Sequence, residues 1–370
     1  MSAVAFGDIV DIRKGKKPKI VFDQPVDGSR PCILIDEVRG ANPLSFTPDQ
    51  KGVDVEPDDL CIVWDGANAG TVGFGVSGFL GSTVARLRFK NPNNWDAGFV
   101  GRLLQGKFAT LNDSAKGKGA TIPHVDKRHL EELLIPQYSF NEQKRIAAIL
   151  DQADALRRLR QRAVDRLNTL GQAIFHEMFG RKRSPKLVEL KALGQVKTGS
   201  TPSTKVAEYF DGDIPFMTPG DLETDRPVAR YLSAAGAEKS RSVVAGSTLV
   251  CCIGATIGKT DIAHKNCTFN QQINAIEWSN DISSAYGYYA VRGLRPEIER
   301  MGRGASTTLP ILKKSLFQEL RIPIADRNDQ VQFEERIKAV EKQKGMYSSS
   351  AACAENLFSS LQSRAFRGEL

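Results

Sequence analysis

The sequence predicts an α+β protein. Two related globular parts of mixed α and β structure are joined by two long antiparallel coiled-coil helices, giving a dumbbell with approximate two-fold symmetry. Three observations predict it. The first is that the chain is written twice. Gly117-Lys118-Gly119-Ala120 and Ile122-Pro123 recur as Gly304-Ala305-Ser306 and Leu309-Pro310, at a constant offset of 187. Leu133-Leu134-Ile135-Pro136 recurs as Leu320-Arg321-Ile322-Pro323, Asn141-Glu142-Gln143 as Asn328-Asp329-Gln330 and Phe179 as Phe366, at the same offset. Upstream the offset is 184: Gly15 and Pro18 match Gly199 and Pro202, and Pro31 and Glu37 match Pro215 and Asp221. One offset shared by so many punctuation residues marks a duplicated unit.

The second observation is the end of each copy. Residues 141–179 contain no proline and a single glycine, Gly171. Ile149, Ala153, Leu156, Ala163, Leu167, Leu170 and Ile174 alternate by fours and threes, broken once at Arg160. In the second copy the stripe runs Phe333, Ile337, Val340, Tyr347, Ala351, Ala354, Phe358, Leu361 and Ala365, broken at Lys344. A seven-residue repeat asks for a partner helix. At 1.5 Å rise, each segment of about 40 residues is ~60 Å long. That outruns a domain of ~140 residues, whose radius of gyration is near ~14 Å. Mutual pairing is therefore preferred over two separate core helices. The expected seam is Leu156, Leu167, Leu170 and Ile174 against Val340, Tyr347, Phe358 and Leu361.

The third observation concerns the globular parts. Residues 59–64 and 247–253 are short apolar runs beside Gly turns, which suits buried strands. Residues 84–89 partly alternate, with Leu87 and Phe89 interleaved with Arg86 and Arg88. Residues 95–104 and 283–294 each suit a helix. The expected division is a first globular domain at 1–140, a long helix at 141–180, a second domain at 186–326 and a C-terminal long helix at 327–370.

Composition bounds the function. A chain of 370 residues exceeds one hydrophobic core. Lys+Arg number 51 against 43 Asp+Glu, a net charge of +8 that is compatible with a polyanionic partner. No stretch approaches the ~18 apolar residues of a membrane span. Residues 1–8 lack the charged-then-apolar pattern of a secretory leader. Six cysteines, none at CxxC spacing, suit free thiols in a reducing cytoplasm.

Signatures of catalysis are missing. The four histidines, His124, His129, His176 and His264, form neither HExxH nor a zinc-finger spacing with cysteine. There is no GxSxG elbow. Gly254-Ala255-Thr256-Ile257-Gly258-Lys259-Thr260 approaches a phosphate loop, but three residues separate its glycines where four are needed to curl amides round a phosphate. A tight turn between strands is the expectation there. Asn91-Pro92-Asn93-Asn94 lacks the second proline and stacking aromatic of an amino-methyltransferase. We therefore expect no catalytic residue and no metal site.

The ordered set of motifs resembles the DNA-specificity subunits of type I restriction–modification systems. The carrying residues are Ile135-Pro136, Asn141-Glu142-Gln143-Lys144-Arg145-Ile146 and His176-Glu177-Met178-Phe179-Gly180 in the first half. In the second they are Thr198-Gly199-Ser200-Thr201-Pro202-Ser203, Gly254 to Lys259, Asn270-Gln271-Gln272 and the ending 364–370. The resemblance covers essentially the whole chain. It implies two target recognition domains, each reading half of a bipartite site in double-stranded DNA. The long helices would act as a ruler and as the dock for two methyltransferase subunits, with restriction subunits joining. Cofactors would sit in those partners (S-adenosylmethionine, ATP and magnesium) and none in this chain. It also implies a cytoplasmic, non-catalytic protein. The first copy departs from the pattern, with Lys16-Lys17-Pro18-Lys19 where the second has Ser200-Thr201-Pro202-Ser203. A coiled-coil adaptor without DNA readout is the alternative; duplicated basic positions count against it.

Candidate DNA contacts follow the repeated charge. Lys14, Lys16, Lys17 and Lys19 form a basic loop, and its counterpart holds Lys197, Thr198, Ser200 and Lys205. Lys116 and Lys118 flank Gly117, Arg303 precedes Gly304, and Lys127 corresponds to Lys314. Charge repeated at equivalent places suits a phosphate track. Lys259 belongs to the near phosphate loop. His124 and Ser306-Thr307-Thr308 lie between the charges and are base-reading candidates. Arg157, Arg158, Arg160, Arg162 and Arg166 are expected on the polar face of the first long helix.

Overall fold

The computed structural model describes residues 2–116, 123–180, 186–304, 309–367 and 369–370. They divide into two units, Met1–Gln161 with Ser349–Leu370, and Arg162–Ser348. The division falls inside the long helices Phe140–Phe179 and Arg327–Arg367, so each unit takes part of each helix.

In the first unit, an antiparallel sheet orders Val10–Lys14, Val84–Phe89, Leu60–Val63 and Val72–Phe74. A second sheet orders Phe46–Thr47, Arg30–Ile33, Gly78–Leu80 and Asp54–Val55, with its central pair parallel. The ribbon Ala3–Ala5 with Leu134–Pro136 closes the unit. The apolar run at 60–63 is buried throughout because both faces of its sheet are covered. Arg86 and Arg88 are accommodated by their partners. Arg86 Nη1 donates to Asp54 O at 2.7 Å, and Arg88 makes a bidentate bond to Asp59 at 2.7 Å.

The second unit repeats this plan. Its sheets order Gly194–Thr198, Ile273–Trp278, Thr248–Cys251 and Thr260–Ile262, and Tyr231–Leu232, Ile214–Met217, Cys267–Phe269 and Arg241–Val243. Again one central pair, Ile214–Met217 with Cys267–Phe269, is parallel. The ribbon Leu187–Glu189 with Arg321–Pro323 explains the repeated Ile-Pro: Ile135 and Ile322 are fully buried in the two ribbons. The helices Ala97–Gly106 and Ser284–Gly293 match the expected segments within a few residues.

The helix halves complete each core. In the first unit, Phe366 packs 5.8 Å from Phe99, and Tyr138 donates to Ala365 O at 3.0 Å while Arg157 meets Glu355 at 3.1 Å. Later residues of one helix meet earlier residues of the other, so they run antiparallel here. In the second unit, Phe175 and Phe179 lie 5.5 and 5.6 Å from Phe333. The stripe expected on the C-terminal helix coincides with burial: Val340 and Phe358 are buried, Tyr347 and Leu361 half-buried.

On the first long helix the stripe is followed in part: Ala153 is buried and Ile149, Ala163, Leu167 and Ile174 are half-buried, as on the C-terminal helix, while two of its leucines are not. Leu156 and Leu170 are 39% and 40% exposed. Asp154, Val164, Gly171 and Phe175, one position on from stripe residues, are buried as well. Two causes are visible. A Cβ at position 171 would collide with the Tyr289 ring. At the other end, Asp154 enters the interior and the half-buried Arg157 lies beside it, because Arg102 and Phe358 meet them there. Arg102 lies 2.9 Å from Asp154 and 2.7 Å from Asp151, and Arg157 sits 4.6 Å over the Phe358 ring.

Candidate nucleic-acid interface

The near phosphate loop is a tight turn between strands, and both units carry it. Gly254 and Gly258 have φ of 105° and 89°, and in the first unit Gly66 and Gly70 have φ of 96° and 95°. A positive φ is open to glycine at no steric cost. Gly254 N donates to Pro310 O at 3.0 Å and Gly66 N to Pro123 O at 2.8 Å. The equivalence of these two turns is a part of the repeat that the sequence comparison misses.

Around each turn the backbone builds the same edge. Trp64 N donates to Thr83 O and Cys252 N to Gln272 O, both at 2.7 Å. Asp65 forms an isolated β-bridge with His124, and Ile253 forms one with Ile311. Gly15 N and Lys16 N donate to Val84 O and Leu80 O; Gly199 N and Ser200 N donate to Ile273 O and Phe269 O. Side chains at positions 15 and 199 would strike the carbonyls of Leu80 and Phe269, which accounts for the repeated glycine. Gly81 N donates to Ile33 O and Asn270 N to Met217 O, both at 3.0 Å. Five separated segments thus meet in each unit on one backbone frame.

The sequence candidates distribute unevenly over this frame. Lys14 reaches Asp65 at 2.6 Å, and His124 stands exposed beside it. Lys16, Lys17 and Lys19 are exposed on the adjoining loop, and Lys19 N donates to Asp49. In the second unit Ser200 is half-buried, and Thr201 beside it donates to Gln271 Oε1 at 2.6 Å. Lys205 is exposed. Lys127 and Lys314 open equivalent short helices and are exposed, with Lys127 near Glu131 at 3.5 Å. Arg303 is exposed in the last turn of Arg295–Gly304, and Lys116 ends Phe108–Lys116.

Other candidates turn inward. Lys197 pairs with Glu277 at 2.8 Å and donates to Ser242 O. Thr198 Oγ1 donates to Asn274 Oδ1 at 2.7 Å, and Lys259 Nζ to Leu222 O at 3.3 Å. Strand pairing sets these directions: position 198 faces Asn274 in register. Lys118, Ser306, Thr307 and Thr308, together with the side chain of Lys116, lie outside the described residues.

Two members of the arginine cluster on the first long helix form ion pairs. Arg157 and Arg158 meet Asp154 at 2.6 and 2.9 Å. Burial pushes the Asp154 carboxyl up, but Arg157, Arg102 and Arg158 outweigh it and hold the group below the usual range. Burial lifts the thiols of Cys61, Cys252 and Cys267 to about 12, far from a reactive thiolate. Among the described residues no group of three His, Cys, Asp or Glu is placed to hold a metal, and no helix is long and apolar enough to cross a membrane.

Comparison with known proteins gives this geometry a context. The family model described as the type I restriction modification DNA specificity domain matches residues 2–168 and 185–345. The MjaVIII specificity subunit of Methanocaldococcus jannaschii is 33% identical over 177 residues, 48% of this chain and 41% of that protein. The HindI specificity subunit of Haemophilus influenzae is 30% identical over 148 residues, 37% of this chain and 32% of that protein. These matches span less than half the length of the relatives. In fold, the chain is similar to the type I restriction–modification S subunit from M. genitalium, with a TM-score of 0.63 and 16% identity over 99% of this chain and 96% of that one. A chain from a structure of type I restriction–modification complex assembly gives 0.59 with 19% identity, covering 100% and 98%.

Proposed function

Since the chain belongs to the type I restriction–modification DNA specificity family, we propose that it is the sequence-reading subunit of such a complex. Each globular part, 1–140 and 186–326, reads one half of a bipartite site in double-stranded DNA. The helices 141–180 and 327–370 dock two methyltransferase subunits, and restriction subunits join them. The chain itself is non-catalytic and works in the cytoplasm.

The observation that carries this reading is the duplicated edge. One backbone frame is built in both units, yet it presents Lys16 against Ser200 and His124 against Ile311. A shared frame with divergent side chains suits two related sites of different sequence. The exposed Lys16, Lys17, Lys127, Lys205, Arg303 and Lys314 supply positive charge for phosphates, which positions a duplex without reading it.

Methylome sequencing of cells carrying this chain with its methyltransferase subunits tests the proposal. The expected result is two short motifs separated by unspecified bases, about one helical turn or ~10 bp centre to centre. A single continuous motif would refute the two-part reading.

A further inference from the structure

We propose that Leu34 and Thr218 are matched base-contacting positions: Leu34 packs on a thymine methyl group, and Thr218 accepts a hydrogen bond from a base amino group. The inference rests on the DNA-recognition reading above and names two residues that set its specificity.

The two positions are equivalent in the duplicated frame. Leu34 N donates to Glu37 Oε2 and Thr218 N to Asp221 Oδ2, both at 2.9 Å. Both carboxylates are buried, 4% and 9% exposed. The preceding residues, Ile33 and Met217, accept from Gly81 N and Asn270 N, so each position lies beside the loop that also holds Lys16 or Ser200. The backbone is the same; only the side chain differs.

Chemistry then separates them. Leu34 is 39% exposed and rests against Gly81, where a Cβ at position 81 would collide with its Cδ2. It is displayed at the edge with an apolar tip. Thr218 Oγ1 lies 2.6 Å from Asp221 Oδ2. That carboxylate already takes Thr218 N and, through its other oxygen, Ala229 N at 3.0 Å. An ionised carboxylate only accepts, so the hydroxyl hydrogen is committed to it. Thr218 is half-buried, and what its hydroxyl keeps for a ligand is a lone pair. In the major groove a methyl group belongs to thymine, and amino donors to adenine N6 and cytosine N4.

The test is methylome sequencing of cells expressing the full chain with its methyltransferase subunits, comparing wild type, Leu34→Thr, Thr218→Val and Thr218→Ser. Leu34→Thr is expected to lower preference for thymine at one position of one half-site at least tenfold and leave the other half-site intact. Thr218→Val is expected to do the same at an adenine or cytosine of the other half-site. Thr218→Ser keeps the acceptor and should keep the motif. Leu34→Ala and Thr218→Ala give the same readout if the first variants fold poorly. Wild-type motifs from both Leu34→Thr and Thr218→Val would overturn the inference. So would loss of all methylation in variants that keep the wild-type melting temperature, which would make these residues necessary for DNA binding at large and not for reading one base. A wild-type chain that yields no bipartite motif would overturn the underlying reading along with it.

Discussion

Gln143 and Gln330 do the same work in the two units. Gln143 Oε1 accepts from Asp96 N at 2.9 Å, and its Nε2 donates to Asn94 O and Tyr138 O at 2.8 and 3.1 Å. Gln330 accepts from Ser283 N at 2.9 Å and donates to Asp281 O and Ala325 O at 3.1 and 3.0 Å. Every partner is displaced by the offset of the repeat, so the Asn-x-Gln pattern visible in the sequence is a staple between helix start and globular loop. Both side chains are buried, 1% and 2% exposed. Gln143→Ala would leave three part-buried backbone groups, Asp96 N, Asn94 O and Tyr138 O, without this partner, each costing up to about 1–3 kcal/mol. We expect it to destabilise the first unit by at least about 2 kcal/mol, measured by denaturant unfolding. An effect within about 0.5 kcal/mol, as for a typical surface substitution, would contradict the staple. The sequence showed the repeat of this residue but not its bonds, because the carbonyls it serves lie up to 49 residues away.

Among the elements, the long helices separate what periodicity reveals from what packing decides. The C-terminal helix follows its heptads. On the first, Asp154 carries charge into the interior beside Arg102, with Arg157 half-buried next to it, which no apolar pattern announces. Asp154 is 3% exposed and meets three arginines, so removing its charge leaves them underpaired. Breaking a buried pair from one side costs about 3–5 kcal/mol. Asp154→Asn should therefore lower stability at neutral pH by about 3 kcal/mol. The acid dependence has a definite sign. The folded carboxyl titrates below its unfolded value of 3.8, so its contribution is full above that value and fades as pH falls through the depressed one. Wild type and variant should begin to converge below 3.8 and meet only once the pH lies below the depressed folded value. Parallel stability curves across the acid range would contradict the coupling.

The whole molecule offers a test of the ruler role. Both helices continue through the division between units, after Gln161 and before Ser349. A heptad inserted at both places keeps each stripe in phase and adds about 10 Å of helix. With DNA rising about 3.4 Å per base pair, the spacer between half-sites should grow by roughly three base pairs. An insertion in one helix alone should break the pairing and cost stability. Methylation mapping of the doubly lengthened chain checks this, and an active complex with an unchanged spacer would rule the ruler out.

The duplication, the two long helices and the kind of unit each helix closes were legible in the residues alone. Their punctuation lies in short local patterns: Gly where a carbonyl approaches, Ile-Pro where a ribbon ends, seven-residue stripes where helices pair. The buried strand within 59–64 and the glycine turn at 254–258 were legible for the same reason. Folding was needed to turn Lys197, Thr198 and Lys259 inward while Lys16 and His124 stand out, because strand register and side-chain partners choose those directions. Folding likewise brought out Leu34, Thr218 and the Gly66 turn. These residues come together through hydrogen bonds between segments far apart in the chain, such as Gly66 with Pro123 and Lys16 with Leu80, and no local periodicity encodes contacts across such separations.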